Sequence, residues 1–484
     1  MMRSNYAVQA SPRFGVLTEQ QMADIHSASL EILWRTGSRM YSQEALELLR
    51  KAGADVTDGN LVRIPPHLVE WALRTAPPRV ILANRNGERT VVLEGNKTYY
   101  GTGSDCPNIL DHETGERRPF RKADIEQGIR LCDALPNIDF VMSMGLASDV
   151  PIKTSDRHQF EAMLLNTVKP IVFTAHDLDG IRDIAEMAAA AVGGHDELRR
   201  NPTLILYAEP TTPLVHTRDS VEKLLFMAEN NLPVLYAPGM LRGGTAPVTL
   251  AACLALANAE SLTGLLVSQL KREGAPLVLG GGALVMDMRT MVSSYGAPEL
   301  QLAGAALAEM AHYYGLPRFS SAGASDSKVV DQQAVIEGTI SILMQALAGS
   351  NLVHDVGFLE CGLTSSYEML VAMDEVIAMA KQIIKTVEIS DETLALDLIH
   401  KVGPGGSFVA ESHTAKHFRG VWFPKLLNRQ NFDTWAAEGR QTMGDRARQK
   451  VRDILATHQS QPVPAQALER IKGILQSADA RLGG

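Results

Sequence analysis

The chain has 484 residues, with 46 Lys and Arg against 55 Asp and Glu, and a formal charge of −9 at pH 7. Hydrophobic residues at 45% and charged residues at 21% supply a full core, which excludes a mainly disordered protein. The acidic balance argues against a nucleic-acid partner, and four scattered cysteines (Cys106, Cys132, Cys253, Cys361) argue against a disulfide frame or a zinc site.

Residues 17–75 read as helical. Ile25, Leu30, Leu33, Leu46, Leu48 and Leu49 recur at helical spacing, and Ser42 with Glu44 and Glu47 opens the second helix. Over 78–95 the period changes: Val80, Ile81 and Leu82, then Val91, Val92 and Leu93, flank Asn84, Asn86 and Gly87, the pattern of a hairpin.

From about residue 97 short apolar runs alternate with longer helical stretches. The expected strands are Thr98–Gly103, Phe140–Met144, Ile171–Thr174, Leu204–Glu209, Val234–Gly239, Leu277–Gly281, Arg318–Ala322 and Leu352–Asp355. The expected helices are Lys122–Ala134, Asp156–Thr167, Leu178–Val192, Asp219–Asn230, Val248–Lys271, Pro298–Tyr314, Asp331–Leu347 and Tyr367–Val387. Strand–helix alternation demands parallel pairing, because each crossover returns the chain to the same edge. The fold class is therefore α/β. Eight such units fit a (β/α)8 TIM barrel over 97–390, with an N-terminal helical and hairpin extension (1–96) and a C-terminal helical extension (391–484). An open doubly wound sheet is the competitor, but no GxGxxG stands near the first strand.

The C-terminal part contains a GPGGS loop at Gly403–Ser407, a linker at Ser460–Pro464 and a last helix over Ala465–Leu482. Its aromatics Trp422, Phe423 and Trp435 are expected to pack on the barrel. With the apolar helix Val248–Leu270 they also suggest contacts of a homo-oligomer. The longest apolar stretch, Ala246–Leu270, is broken by Asn258 and Glu260, and the N-terminal MMRSNYAVQASPRFG lacks the apolar core of a leader. The expectation is a cytoplasmic protein with no membrane partner.

In such a barrel the active site lies at the C-terminal ends of the strands. Those ends offer aromatic faces (Tyr100, Tyr207, Phe358), an acid (Glu209), a strand-end Arg318 and His354 in VHDVG. An aromatic face with a carboxylate suits a quaternary ammonium, and an arginine suits a carboxylate at the other end of the same ligand. Small residues crowd the mouth as well: Gly103, Gly239, Gly281, Gly282 and Gly323, with His176 beside them. Structural roles compete with each of these. The tyrosines also fit the barrel wall, Arg318 an ion pair with Glu209 or Asp355, and His354 the core.

Other chemistry has weaker support. No HxH, HExxH or Cys/His cluster suggests a metal, and no GxSxG marks a nucleophile elbow. Gly280–Gly282 lacks the basic residue of a phosphate cradle. Lys328 in SDSK is a candidate Schiff-base lysine, which leaves a barrel lyase open; a non-catalytic betaine-binding protein is open too.

The stretches YYGTGSDCPNILDHETGERRPF (99–120), VKPIVFTAHD (168–177), LYAEPTTPLVHT (206–217), YAPGMLRGGTAPVTLA (236–251), FSSAGASDSKVVDQQA (319–334) and LVHDVGFLECG (352–362) resemble the trimethylamine methyltransferase (MttB) superfamily. The resemblance runs from IHSASLEIL (25–33) to about residue 455. It implies a (β/α)8 methyltransferase that moves a methyl group from an amine to the cobalt of a separate corrinoid protein. Founding members carry pyrrolysine in the barrel. This chain has the standard twenty letters and so resembles the branch acting on quaternary amines such as glycine betaine, proline betaine and carnitine. On that resemblance no cofactor is bound tightly, the cobalamin-type corrinoid belongs to the cognate partner, and Co(I) is the nucleophile. The chain then needs no catalytic residue of its own and no metal. Tyr100, Tyr207 and Phe358 would offer ring faces, Glu209 would offset the cation, and Arg318 with His354 would hold the substrate carboxylate. The glycines and His176 would face the corrin ring.

Overall fold

A computed structural model describes residues 12–482. Its inner layer is built from short parallel strands. Ile171–Phe173, Leu204–Ala208, Val234–Tyr236 and Leu277–Leu279 form one ladder, and Phe319–Ser321, Leu352–His354 and Tyr99–Tyr100 form another. Single parallel bridges connect the two: Leu279 with Arg318 on one side, Gly101 with Phe140 and Val141 with Ile171 on the other. Followed from strand to strand, the pairing returns to Tyr99. The fold is α/β.

The run Phe140–Met144, expected as a strand, has no ladder of its own. A side chain takes the place of main chain: Thr102 Oγ1 donates to Met142 O (2.9 Å) and accepts from Met142 N–H (2.8 Å). Met144 then turns away with φ at 65°.

Eight helices cover the strands: Lys122–Ala134, Ser155–Asn166, Leu178–Val192, Arg218–Glu229, Leu250–Lys271, Pro298–Tyr313, Gln332–Ala348 and Tyr367–Ile383. Caps explain their ends. Asp177 and Asp331 accept N–H groups at the first turns of their helices, and Gly193 and Gly349 end the same two helices in the left-handed conformation that glycine adopts without strain.

Alternation along the strands sorts the side chains. Val172, Ile205, Leu235, Val278, Phe319 and Leu352 meet in one interior cluster with Phe140 and Met142. The N-terminal hairpin, Val80–Leu82 against Val91–Leu93, adds Val80, Leu82, Val91 and Leu93 to that cluster. It is anchored at the strand starts, where Ala83 N–H donates to Pro202 O and Arg85 N–H to Val168 O. The hairpin therefore plugs the interior from its N-terminal end.

Three small sheets have no counterpart in the periodicity. Ser38–Met40 pairs with Val215–His216 and Leu61–Arg63; Asn108–Leu110 pairs with Arg117–Pro119 and Thr364–Ser366; Gly282–Asp287 pairs with Gly239–Arg242 and Val292–Ser294. Most of these strands are two to four residues long, too short to display a period of two. The last two sheets follow the C-terminal ends of inner strands and raise a wall there.

Helix Leu250–Lys271 has the length and apolarity to cross a membrane, yet 83% of its apolar window is buried inside the chain. It packs against Glu19–Glu31, Gln43–Ala52, Pro66–Thr75 and Arg218–Glu229. The expected subunit contact through this helix is thus corrected: its apolar surface is spent on the N-terminal extension and the neighbouring helix. The expected docking of the C-terminal aromatics is corrected too. Phe423 is 78% exposed, and the Trp435 indole N–H donates to Gln441 O within its own segment.

Because Thr102 stands in for a missing ladder, Thr102→Val leaves both Met142 backbone groups unpaired. A urea titration should show a loss of about 1–3 kcal/mol.

Candidate functional site

The C-terminal strand ends surround a cavity of about 250 Å³. Strand parity decides what reaches it. Along Leu204–Ala208, Ile205 points into the interior, Tyr207 lies two residues higher, and Glu209 sits at the rim.

One wall is aromatic. The Phe319 and His354 rings stack at 4.2 Å and 21°, and Tyr207 meets Phe319 edge-on at 5.7 Å. Phe358 and Tyr295 line the same space. Tyr295 is positioned from outside: its N–H donates to Asp326 Oδ1 at 2.7 Å.

Carboxyl groups sit among these rings. Tyr207 donates its hydroxyl to Glu209 Oε2 at 3.0 Å, yet burial pushes the Glu209 carboxyl above its usual range. Asp105, held by the Ser104 hydroxyl at 2.9 Å, is pushed up by burial and by the neighbouring Asp355. Both side chains keep accessible surface on the cavity wall. His354 Nδ1 lies 2.7 Å from Asp355 Oδ1, close in distance but not aligned as a hydrogen bond. Asp105 and Asp355 both have left-handed backbone, with φ at 75° and 74°.

Arg318 is the opposite charge. It is 2% exposed, and no carboxylate of the described residues lies within ion-pair distance. Its guanidinium donates to main-chain carbonyls, Leu279 O at 3.3 Å and Gly281 O, while Nε finds no partner. Desolvation alone brings its pKa down to about 9. A buried cation without a counter-ion is costly unless a ligand supplies the anion. The alternative pairing of Arg318 with Glu209 or Asp355 does not occur.

The structure brings Tyr207, Glu209, Arg318, His354 and Phe358 to one cavity, with Gly239, Gly281 and Gly282 on its lining. It does not bring Tyr100 there. Parity turns Tyr100 outward, where its buried hydroxyl donates to Ile342 O at 2.9 Å, and Tyr99 takes the inward side. Gly103 lies behind the lining: a Cβ on it would stand 2.2 Å from Asp355 Oδ1 and 2.6 Å from the Phe358 ring. Gly323 packs against Val356, and His176 bonds Ser155 Oγ at 2.9 Å, both off the lining. Lys328 is exposed, with its amine on Asp326 O at 2.8 Å and no access to the cavity, so the Schiff-base role has no geometric support.

Sequence reasoning passed over Phe319 and Tyr295. Phe319 was legible by parity from His354 on the paired strand. Tyr295 arrives from a hairpin that no periodicity announces. Among the described residues no group of three or more His, Cys, Asp or Glu could hold a metal.

Behind the rim, buried Glu260 accepts the Leu214 N–H at 2.5 Å and leaves Oε2 unpaired. Burial, with Glu209 nearby, pushes its pKa from 4.5 to about 8. Between those values the unfolded chain loses this proton and the folded chain keeps it, so stability falls as pH rises. Glu260→Gln keeps the acceptor and removes the titration. In urea titrations its stability should gain on that of the parent progressively from pH 5 to pH 8, by at most about 1.4 kcal/mol per pH unit.

Comparison with known proteins places this geometry. The profile of a family described as trimethylamine methyltransferase (MTTB) matches residues 1–482. The trimethylamine methyltransferase MttB of Desulfitobacterium hafniense DCB-2 is 33% identical over 467 residues, 96% of this chain and 94% of that one. The glycine betaine methyltransferase of D. hafniense Y51 is 32% identical over 478 residues, 98% of each. The solved monomethylamine methyltransferase MtmB of Methanosarcina barkeri superposes with a TM-score of 0.54 at 13% identity, covering 97% of this chain and 88% of that one, a likeness of fold.

Proposed function

The chain belongs to the trimethylamine methyltransferase family, and on that premise we propose that it moves a methyl group from a small quaternary amine bearing a carboxylate to a corrinoid held by a cognate partner protein. Glycine betaine, proline betaine and carnitine represent the substrate class. We infer with it that the ring of parallel pairings is one closed (β/α)8 barrel over residues 97–390, flanked by the extensions 1–96 and 391–484. A cytoplasmic setting belongs to the same reading, in keeping with four free cysteines.

The observation that carries the proposal is Arg318. A guanidinium buried without a carboxylate, on a cavity that aromatic rings and carboxyls also line, complements a zwitterion. The carboxylate goes to Arg318 with His354 beside it. The ammonium goes to the rings of Tyr207 and Phe358, with Glu209 and Asp105 offsetting its charge. A quaternary ammonium departs as a neutral amine, so no protein group has to protonate it. The tasks left to this chain are orientation and exclusion of water around the methyl carbon.

The mouth suits a flat macrocycle. Ala237, Gly239, Gly281, Gly282 and Ala283 line one side, and no atom lies within 4 Å of a Cβ placed on Gly282. A cavity of about 250 Å³ accepts the amine but not a corrin, so the ring sits over the opening. When docked, the partner's corrinoid supplies the cobalt nucleophile.

Purified protein mixed with cob(I)alamin and each of glycine betaine, proline betaine, carnitine, choline and trimethylamine tests this by the absorbance change on methylation. Turnover with a carboxylate-bearing amine, and little with choline, is expected. Betaine binding without methylation, also in the presence of the corrinoid partner, would instead identify a non-catalytic binding protein. Arg318→Ala should raise KM for the betaine about 100-fold while leaving choline indifferent; an unchanged KM removes the assignment.

A further inference from the structure

The cavity does not end at the ring of inner strands. Its lining includes Leu300 and Gly304 of helix Pro298–Tyr313 and Gln345 of helix Gln332–Ala348, which lie outside that ring, together with Arg318 and Ser320. Parity explains the connection. Phe319 points into the interior cluster, so Arg318 and Ser320 face the outer helices, and the Ser320 hydroxyl donates to Gln345 Oε1 at 2.9 Å. The neighbouring strand meets Arg318 through the single bridge from Leu279 and then continues as Gly280, Gly281 and Gly282, which have no side chains to close the gap. One branch of the cavity therefore runs between these two strands to the helices behind them.

Donors without an acceptor line that branch. Gln345 is 1% exposed, and its Oε1 accepts from the Ser320 and Ser350 hydroxyls at 2.9 and 2.8 Å. Two donors on the oxygen fix the amide, and its Nε2 is left facing Gly304 with no acceptor among the described residues. A Cβ on Gly304 would stand 2.6 Å from that nitrogen, so a side chain there would displace the amide. Arg318 adds a charged donor, whose Nε has no partner either. Buried donors left unpaired are costly, and one anion with two oxygens satisfies both.

We propose that Gln345 is a second donor to the carboxylate of the substrate, and that Arg318, Gln345 and the bare Cα of Gly304 form a carboxylate-selecting branch of the cavity. The proposal rests on the reading of the substrate as a carboxylate-bearing quaternary amine, and it adds to that reading a residue that decides between an acid and an alcohol. A carboxylate presents two acceptor oxygens, one for each donor, whereas the hydroxyl of choline presents a single neutral oxygen. Ser320 and Ser350 act through the amide, as positioning residues.

Calorimetry on the full chain with glycine betaine and with choline tests it, with melting temperatures as the check on folding. Gln345→Glu keeps an oxygen for the two serines and replaces the donor by an acceptor, so the betaine Kd should rise at least about tenfold. Gly304→Ala places a methyl group against Nε2 in a helix that favours alanine, so the betaine Kd should rise about tenfold with no loss of melting temperature. Choline should not distinguish either variant from the parent, whether it binds or not. Loss of betaine binding in Arg318→Ala, with both new variants unchanged, would leave the branch to water and overturn the proposal while the substrate reading stands. An unchanged betaine Kd in Arg318→Ala, or no betaine binding by the parent, would overturn both. A choline Kd that rises in step with that of betaine would reduce Gln345 to a structural role and overturn the proposal as well.

Discussion

Alternation along a parallel strand is the constraint on which this molecule turns. Side chains two apart share a face, so an inner strand lends the interior only every second residue. Leu204–Ala208 sends Ile205 into the core and continues through Tyr207 to Glu209 at the rim. The same rule turns Tyr100 to the outer helices and gives Phe319 and His354, on paired strands, one stacking partner each. The aromatic wall of the cavity follows from parity.

Electrostatics then divides that cavity. Carboxyls of Glu209 and Asp105 are held up by desolvation, and the Arg318 guanidinium is held down by it. Each end lacks the charge that the other end would supply. Arg318 bonds main-chain carbonyls instead of an acid, so no ion pair joins the two polarities. An internal ion pair would have cancelled them.

Much of this was legible beforehand. The eight helices lie where the 3.6-residue period places them, with the end of the last one shifted from Val387 to Ile383. The Asn-Gly hairpin and the strand ends holding Glu209, Arg318 and His354 were readable from punctuation and apolar runs. Tyr100 was misplaced because a run such as Thr98–Gly103 does not reveal which parity faces inward. Phe140–Met144 looked like a strand, but a threonine hydroxyl had replaced its ladder. Tyr295 depends on a hairpin whose Gly282–Asp287 strand begins with glycine and carries no alternation. The outward position of Phe423 follows from what its segment fails to touch, and no local pattern encodes that.

The N-terminal hairpin has a kinetic meaning. By filling the interior with Val80, Leu82, Val91 and Leu93 it leaves the cavity without a back door. On the proposed reaction, small molecule and macromolecular partner must share one opening. On that reading the amine enters before the corrinoid partner docks, and the demethylated product leaves after it departs. Turnover on that reading is ordered, the amine first in and its product last out.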